Sequence, residues 1–174
     1  MARVYLALGS NIDDRIAYLS KAEKMLRNHE DIEILRTSNI YETEPWPKED
    51  HEKEHPHAEK GQKWFLNQIL EVETGLTPIQ LLKASQEIEK KLGRTEKHHW
   101  GPREIDIDIL LYDDEILDLP ELTLPHRHMR DRQFVLVPLV EIAPRLKDPV
   151  SGKAFEEFLE EAKETDDHKV TPFL

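Results

Sequence analysis

Residues 100–112 read WGPREIDIDILLY. The part from 105 to 112 is rich in Ile and Leu, lacks proline and predicts a β-strand. Side chains alternate faces along a strand. Ile105, Ile107, Ile109 and Leu111 are expected on one face, with Asp106 and Asp108 on the other. Two carboxylates on one face of a buried strand cost free energy unless a cation lies between them. Divalent magnesium suits the pair, because it takes carboxylate oxygens, keeps several waters and completes its shell with phosphates. Upstream, Gly101 and Pro102 mark a loop, and Arg103 offers a planar cationic fork suited to phosphate. An Asp-x-Asp pair alone is a weak signal, since one member is often a surface residue or a turn-former. The apolar residue at each alternate place, and the WGPR in front, favour the metal reading.

Working outward from this strand, Thr77-Pro78 caps and opens a helix, with Ile79, Leu82, Ile88 and Leu92 as its stripe and Gly93 as its end. Residues 94–99, RTEKHH, form a polar loop. Residues 64–72 predict a strand with Phe65, Asn67 and Ile69 on one face and Trp64, Leu66, Leu70 and Val72 on the other. Asn67 beside an aromatic suits the edge of a flat polar ring. It equally suits a backbone partner, and the local pattern does not separate the two. Residues 48–62, KEDHEKEHPHAEKGQ, have no apolar period and predict a mobile solvated loop. His51, His55 and His57 read there as ordinary polar loop residues and not as metal ligands.

At the N-terminal end, residues 4–8 predict a strand that Gly9-Ser10-Asn11 breaks. Asn11 or Asp13 would cap a helix whose stripe is Ile12, Ile16, Leu19, Ala22 and Leu26. Residues 32–41 predict a second strand with Ile32, Ile34 and Ile40 on one face. Beyond Tyr112, Asp113-Asp114 reads as a turn and 115–117 as a short hairpin arm. Residues 129–133 predict one helical turn. The apolar run 134–139 ends at Pro138, and 141–144 is a short helical or turn segment. An acidic helix follows over about 153–163 with Phe155, Phe158 and Leu159 as its stripe, and the tail from 165 is expected to be loose. The order strand, helix, strand, strand, helix, strand is the split βαβ arrangement of ferredoxin-like α+β folds: an antiparallel sheet with helices packed on it, plus C-terminal additions.

The chain has 174 residues, which suits one domain spanning 1–174. Its net charge of −12 disfavours nucleic acid as a partner, although a small anion remains possible where positive charge is local. Arg127, Arg130 and Arg132, among His126 and His128, form such a cluster. The absence of cysteine excludes disulfides and cysteine zinc sites. No apolar run approaches a bilayer span, and the N-terminal run reads as a strand, not a signal peptide. A cytoplasmic, monomeric protein is expected.

WGPREIDIDILLY, followed by LPHRHMRDRQFVLVPLVEIAP, resembles the 6-hydroxymethyl-7,8-dihydropterin pyrophosphokinases of folate biosynthesis. ALGSN, YETEPW and FLNQILEVET are similar to the same family, and the likeness runs from about 4 to 144. The resemblance implies a ferredoxin-like fold. It also implies transfer of the terminal pyrophosphoryl unit of ATP to the pterin hydroxymethyl group, with two magnesium ions. By position, Asp106 and Asp108 match the magnesium ligands. Phe65 and Phe134 match the aromatics that sandwich the pterin, Asn67 the amide that reads its edge, and Thr43, Pro45 and Trp46 the segment lining that pocket. Gln86, Glu89, Arg94, Trp100, Arg103, Ile109, His126, Arg127 and Arg132 match the ATP side, with Arg127 standing where some members have Tyr. Arg103 and Arg132 would stabilise charge on the transferred oxygens.

Two departures stand out. Family members commonly carry further Arg between 94 and 100, where this chain has Glu96 and His99 with Lys97 and His98. That change weakens the loop's permanent positive charge. The 48–62 loop also looks longer than usual, and a lid role with looser closure is expected of it. Two other functions fit parts of the pattern. One is another magnesium-dependent phospho- or nucleotidyl-transferase acting on a heterocyclic alcohol. The other is a non-catalytic ferredoxin-like binding module, which would have no use for a costly carboxylate pair.

Overall fold

A computed structural model describes residues 1–12, 14–44, 64–93 and 104–173. The elements are β1 (Ala2–Ser10), α1 (Arg15–Arg27), β2 (Ile32–Thr37), β3 (Tyr41–Thr43), β4 (Phe65–Thr74), α2 (Pro78–Lys91) and β5 (Asp106–Tyr112), then β6 (Leu117–Asp118), β7 (Thr123–Leu124), α3 (Gln133–Ile142), α4 (Phe155–Thr165) and β8 (Val170–Pro172). A 3-10 turn at Met129–Asp131 precedes α3, as the sequence predicts.

The main sheet runs β5-β1-β4-β3-β8, with β2 also paired to β4, and its ladders are antiparallel. With β2 and β3 counted as one interrupted strand, the four core strands take the ferredoxin-like order. One face carries Val4, Leu6 and Leu8 from β1, Leu66, Leu70 and Val72 from β4, and Ile107 and Ile109 from β5. All are buried with Leu19, Ala22 and Leu26 of α1 and Leu81 and Ile88 of α2. Each such Val, Leu or Ile side chain contributes roughly 1.5–3 kcal/mol. The expected alternation of β4 therefore holds, and Ile34 and Ile40 pack on the same core. On the opposite face, Tyr5, Ile69, Leu110 and Leu111 are covered by α3 and α4 through Val135, Leu136, Leu139, Phe155 and Leu159.

The helix ends follow local chemistry. Thr77 and Gln80 form a reciprocal capping box on α2, and Gly93 leaves its end at a φ of +94°. The cap of α1 is Asp14, which accepts from the Ala17 N–H at 3.1 Å, and not Asn11. Asp13 lies outside the described residues.

Six further expectations need correction. Leu111 does not share a face with Ile109. Leu6 pairs with Ile109 but Tyr5 pairs with Leu111, so Leu110 is an extra residue that turns Leu111 to the face of Asp106 and Asp108. Gly9 does not break β1, which continues through Ser10. The expected strand over 32–41 divides at Ser38, because the Ile69 N–H donates to the Ser38 hydroxyl and not to a ladder carbonyl. The arm after Tyr112 pairs with β7, in a small sheet of its own, and not back onto β5.

The apolar run does not stop at Pro138 either; α3 runs through it to Ile142. An interior proline costs about 3 kcal/mol. Four buried apolar neighbours, Val135, Leu136, Leu139 and Ile142, outweigh that. The tail after Thr165, expected to be loose, ends in β8 along β3, with His168 buried.

Candidate active site

The face of the sheet that carries Asp106 and Asp108 is divided. Its middle is sealed by α3 and α4, and its edge toward the C-terminal end of β1 opens into a cavity of about 630 Å³. Strand register explains what lines it. Asp106 lies opposite Gly9, Gly9 opposite Asn67, and Asn67 opposite Tyr41. In the next row Asp108 lies opposite Ala7, and Ala7 opposite Ile69. Directly paired residues share a face. Two strand spacings therefore separate the carboxylates from Asn67, about 10 Å. β1 places only Gly9 and Ala7 in these two rows.

Gly9 is needed for its lack of a side chain. A Cβ there would stand 2.8 Å from Asn67 Oδ1 and 3.6 Å from the Phe65 ring. The Asn67 amide thus lies over the bare backbone of β1. It is fixed by donating from Nδ2 to Thr43 Oγ1 at 2.5 Å, and Thr43 sits opposite Phe65. In the sequence alone Gly9 reads as a strand breaker, but a glycine inside a strand is also the mark of a close approach.

Asp106 and Asp108 are half-buried on the edge strand β5. Between them, the Ile107 N–H points off the sheet and donates to Glu89 on α2 at 2.9 Å. Glu89 is buried, so it pins the strand at the carboxylate pair and at the same time reaches the cavity wall. Further along β5, the His126 N–H donates to the Leu110 carbonyl at 2.9 Å. His126 Nδ1 accepts from the His128 N–H at 3.2 Å. That bond makes Nε2 the protonated nitrogen of the neutral ring, a donor suited to an anion. Burial, and then the nearby Arg132, hold the His128 imidazole below its ordinary value. The Arg132 guanidinium lies 5.6 Å from the Phe134 ring centre. Arg130 faces elsewhere: its fork grips the buried Asp148 with two bonds of 2.9 Å.

Every residue singled out for the site that falls among the described residues lines this cavity: Thr43, Phe65, Asn67, Gln86, Glu89, Asp106, Asp108, Ile109, His126, Arg127, Arg132 and Phe134. Pro45, Trp46, Arg94, Trp100 and Arg103 lie outside the described residues, as do the 48–62 loop with its histidines and the segment with Glu96 and His99. The walls also include Glu44, together with Glu121 and Leu122 of the β6–β7 connection and Thr123, the first residue of β7. No local pattern marks those three, since only the folding of the small hairpin brings them in.

The donor set fits magnesium. Two carboxylates line the cavity from alternate positions of β5, and Ala7 and Gly9 beside them occupy little of it. Magnesium is commonly held by one or two carboxylates, with waters and phosphate oxygens completing six positions. Among the described residues no helix is long and apolar enough to cross a membrane.

Comparisons with known proteins point to one family. The model of the family 7,8-dihydro-6-hydroxymethylpterin-pyrophosphokinase (HPPK) matches residues 5–144. A 2-amino-4-hydroxy-6-hydroxymethyldihydropteridine pyrophosphokinase from Aquifex aeolicus is 43% identical over 158 residues, covering 91% of each chain. The enzyme of that name from Bacillus subtilis is 42% identical, over 88% of this chain and 86% of its own. Among solved structures, wild-type Plasmodium falciparum HPPK-DHPS with pteroate superposes with a TM-score of 0.70 over 92% of this chain. At 16% identity that likeness concerns the fold, and this chain spans only 42% of the larger one. The chain belongs to the 7,8-dihydro-6-hydroxymethylpterin-pyrophosphokinase family.

Proposed function

We infer that the chain transfers the terminal pyrophosphoryl group of ATP to the hydroxymethyl oxygen of 6-hydroxymethyl-7,8-dihydropterin, in the biosynthesis of folate. The hydroxymethyl oxygen bonds to the β-phosphorus, and the bond from that phosphorus to the α–β bridging oxygen breaks. AMP leaves with that electron pair, and the hydroxyl proton passes to water. The single observation that carries this reading is the row Asp106, Gly9, Asn67, Tyr41 across three strand boundaries. It sets a carboxylate pair and a ring-reading amide about 10 Å apart on one rigid sheet, with room between them for the reacting groups.

Each end has its own work. Asn67, oriented by Thr43, reads the pterin edge, with Phe65 and Phe134 as apolar walls; the family resemblance assigns Pro45 and Trp46 to pterin binding as well. Asp106 and Asp108 would hold two magnesium ions, whose positive charge would offset that of the phosphates. His126 donates from Nε2, and Arg127, Arg132 and Arg103 donate from their guanidinium groups, to phosphate oxygens as charge moves during transfer. Gln86, Glu89, Arg94, Trp100 and Ile109 bound the nucleotide. Positioning and charge account for the catalysis, as phosphoryl-type transfer requires. The chain acts as one domain over 1–174, as a monomer in the cytoplasm.

The test is AMP release from ATP, magnesium and the dihydropterin, by the wild type and by Asp106→Ala and Asp108→Ala. AMP and pterin pyrophosphate from the wild type, lost in both variants, are expected. A wild type that binds the pterin yet releases no AMP would overturn the reading in favour of a binding module. Turnover of a different heterocyclic alcohol in its place would assign another transferase.

A further inference from the structure

The family match ends at residue 144, but the chain beyond it grips both walls of the cavity. The decisive contact is at the start of α3. Arg132 is the residue preceding that helix, and its side chain supplies no cap. A helix end without a cap leaves backbone N–H groups unsatisfied. Here the cap comes from far along the chain. The Gln133 N–H donates to Asp166 Oδ2 at 2.9 Å, and the Gln133 side-chain amide donates to the Asp166 carbonyl at 2.6 Å. Asp166 is itself fixed. Its side chain is 7% exposed, and Oδ1 lies 2.7 Å from His168 Nδ1 and accepts the His168 N–H at 3.1 Å. Gln133 sits between Arg132 and Phe134, which both line the cavity.

The same segment continues to the opposite wall. The Lys169 N–H donates to Glu44 Oε1 at 2.7 Å, β8 pairs with Tyr41–Thr43, and the Phe173 N–H donates to the Ile40 carbonyl at 2.9 Å. One stretch of eight residues therefore bonds the helix that carries Phe134 and the strand that carries Thr43.

We propose that Asp166 is a positioning residue for the transfer reaction: as the remote cap of α3, it sets the directions of Arg132 and Phe134 into the cavity. This rests on the pyrophosphokinase reading. An acceptor oxygen at the Gln133 N–H is what the proposal requires; negative charge is secondary.

The experiment measures kcat, the KM for the pterin and the melting temperature of the wild type, Asp166→Ala, Asp166→Asn and the control Glu164→Ala, an exposed charge near the same helix end. Asp166→Ala is expected to raise the pterin KM about tenfold and to lower kcat at a temperature where it is fully folded. Asp166→Asn, which keeps an acceptor oxygen, returns both to within about threefold, and Glu164→Ala changes neither. A merely structural Asp166 would give a lower melting temperature with wild-type KM and kcat, and that result overturns the proposal. So does an Asn variant as impaired as the Ala variant.

Gln133→Pro supplies a second route if Asp166→Ala folds poorly alone. Proline is well tolerated at the first position of a helix, and it has no N–H to cap. In that background Asp166→Ala should add less than twofold to the pterin KM, and a further tenfold rise would overturn the proposal. Wild-type turnover with an unchanged Asp166→Ala defeats only the positioning claim. A wild type that neither binds the pterin nor releases AMP defeats the pyrophosphokinase reading with it.

Discussion

The two faces of the sheet make opposite use of the same strands. Under α1 and α2, inward positions of β1, β4 and β5 are aliphatic and buried. On the other face, β1 offers Tyr5, Ala7 and Gly9, β4 offers Ile69, Asn67 and Phe65, and β5 offers Asp108 and Asp106, so each strand passes from core to cavity along its length. The first face holds the fold together. The second yields part of its burial in exchange for polar groups held at fixed spacing. Because both faces share one backbone, the rigidity generated on the first locates the groups on the second.

The largest break in this comparison is chemical. Asp106→Ala and Asp108→Ala should each lower AMP release by about a thousandfold or more, since each removes a charge from the phosphate site. Their melting temperatures should stay within a few degrees of wild type, because neither residue belongs to the sealed core. Rapid-quench turnover beside a thermal melt decides it; near-normal AMP release from either variant would move the reaction centre elsewhere.

The mirror experiment on the sealed face is Leu6→Ala. Leu6 is fully buried in β1, back to back with the cavity row. Truncation there costs about 2–5 kcal/mol and lowers the melting temperature by on the order of 10 °C for a chain of this size. Turnover per folded molecule at 25 °C should be unchanged. A stable Leu6→Ala protein with lost turnover would show that the two faces are not separable.

How much of this could be read from the chain divides along the same line. The sealed face was legible because alternation in β4 and β5 is a direct record of burial, and the capping residues of α2 state its start and end. On the cavity face the carboxylate pair was legible because acids at alternate strand positions are costly without a purpose. Gly9 was misread because a glycine looks alike in a turn and in a close approach; only the register against Asn67 separates them. The bulge at Leu110, the remote cap from Asp166 and the wall from Glu121 to Thr123 arise from pairings between distant residues, and no local pattern encodes them. Pro138 misled because burial of its neighbours outweighs its local cost.

A third prediction tests the anchoring beside the site. Burial opposes ionisation of Asp148, yet hydrogen bonds from Arg130, Ser151 and the Val150 N–H win, holding its carboxyl down at about 2. A carboxyl lowered from its ordinary 3.8 stabilises the fold above that value, and the contribution is lost as pH falls toward 2. The difference in stability between wild type and Asp148→Asn should therefore shrink by about 2 kcal/mol between pH 5 and pH 2. Urea unfolding at several pH values reads it. A difference independent of pH would mean that Asp148 is not ionised against Arg130.

The finest distinction between the faces comes from placing one methyl group in two positions. Gly9→Ala puts a Cβ 2.8 Å from Asn67 Oδ1, too close to stand. The strand gains slightly in backbone entropy, about 0.5–1 kcal/mol, so the cost falls on the amide, which must turn away or stretch its bond to Thr43. The pterin KM should rise about tenfold, equivalent to ~1.4 kcal/mol, with kcat less affected and the fold no weaker. Gly75→Ala is the matched control: its nearest contact, Met1 Sδ at 3.6 Å, is ordinary packing, and it lies at the far end of β4. Equal KM values for the two variants would mean that the Asn67 amide does not read the ring, and that the β1 glycine merely relieves crowding. A rise confined to Gly9→Ala ties pterin affinity to the angle of one amide, held by a bare stretch of backbone two strands from the carboxylates.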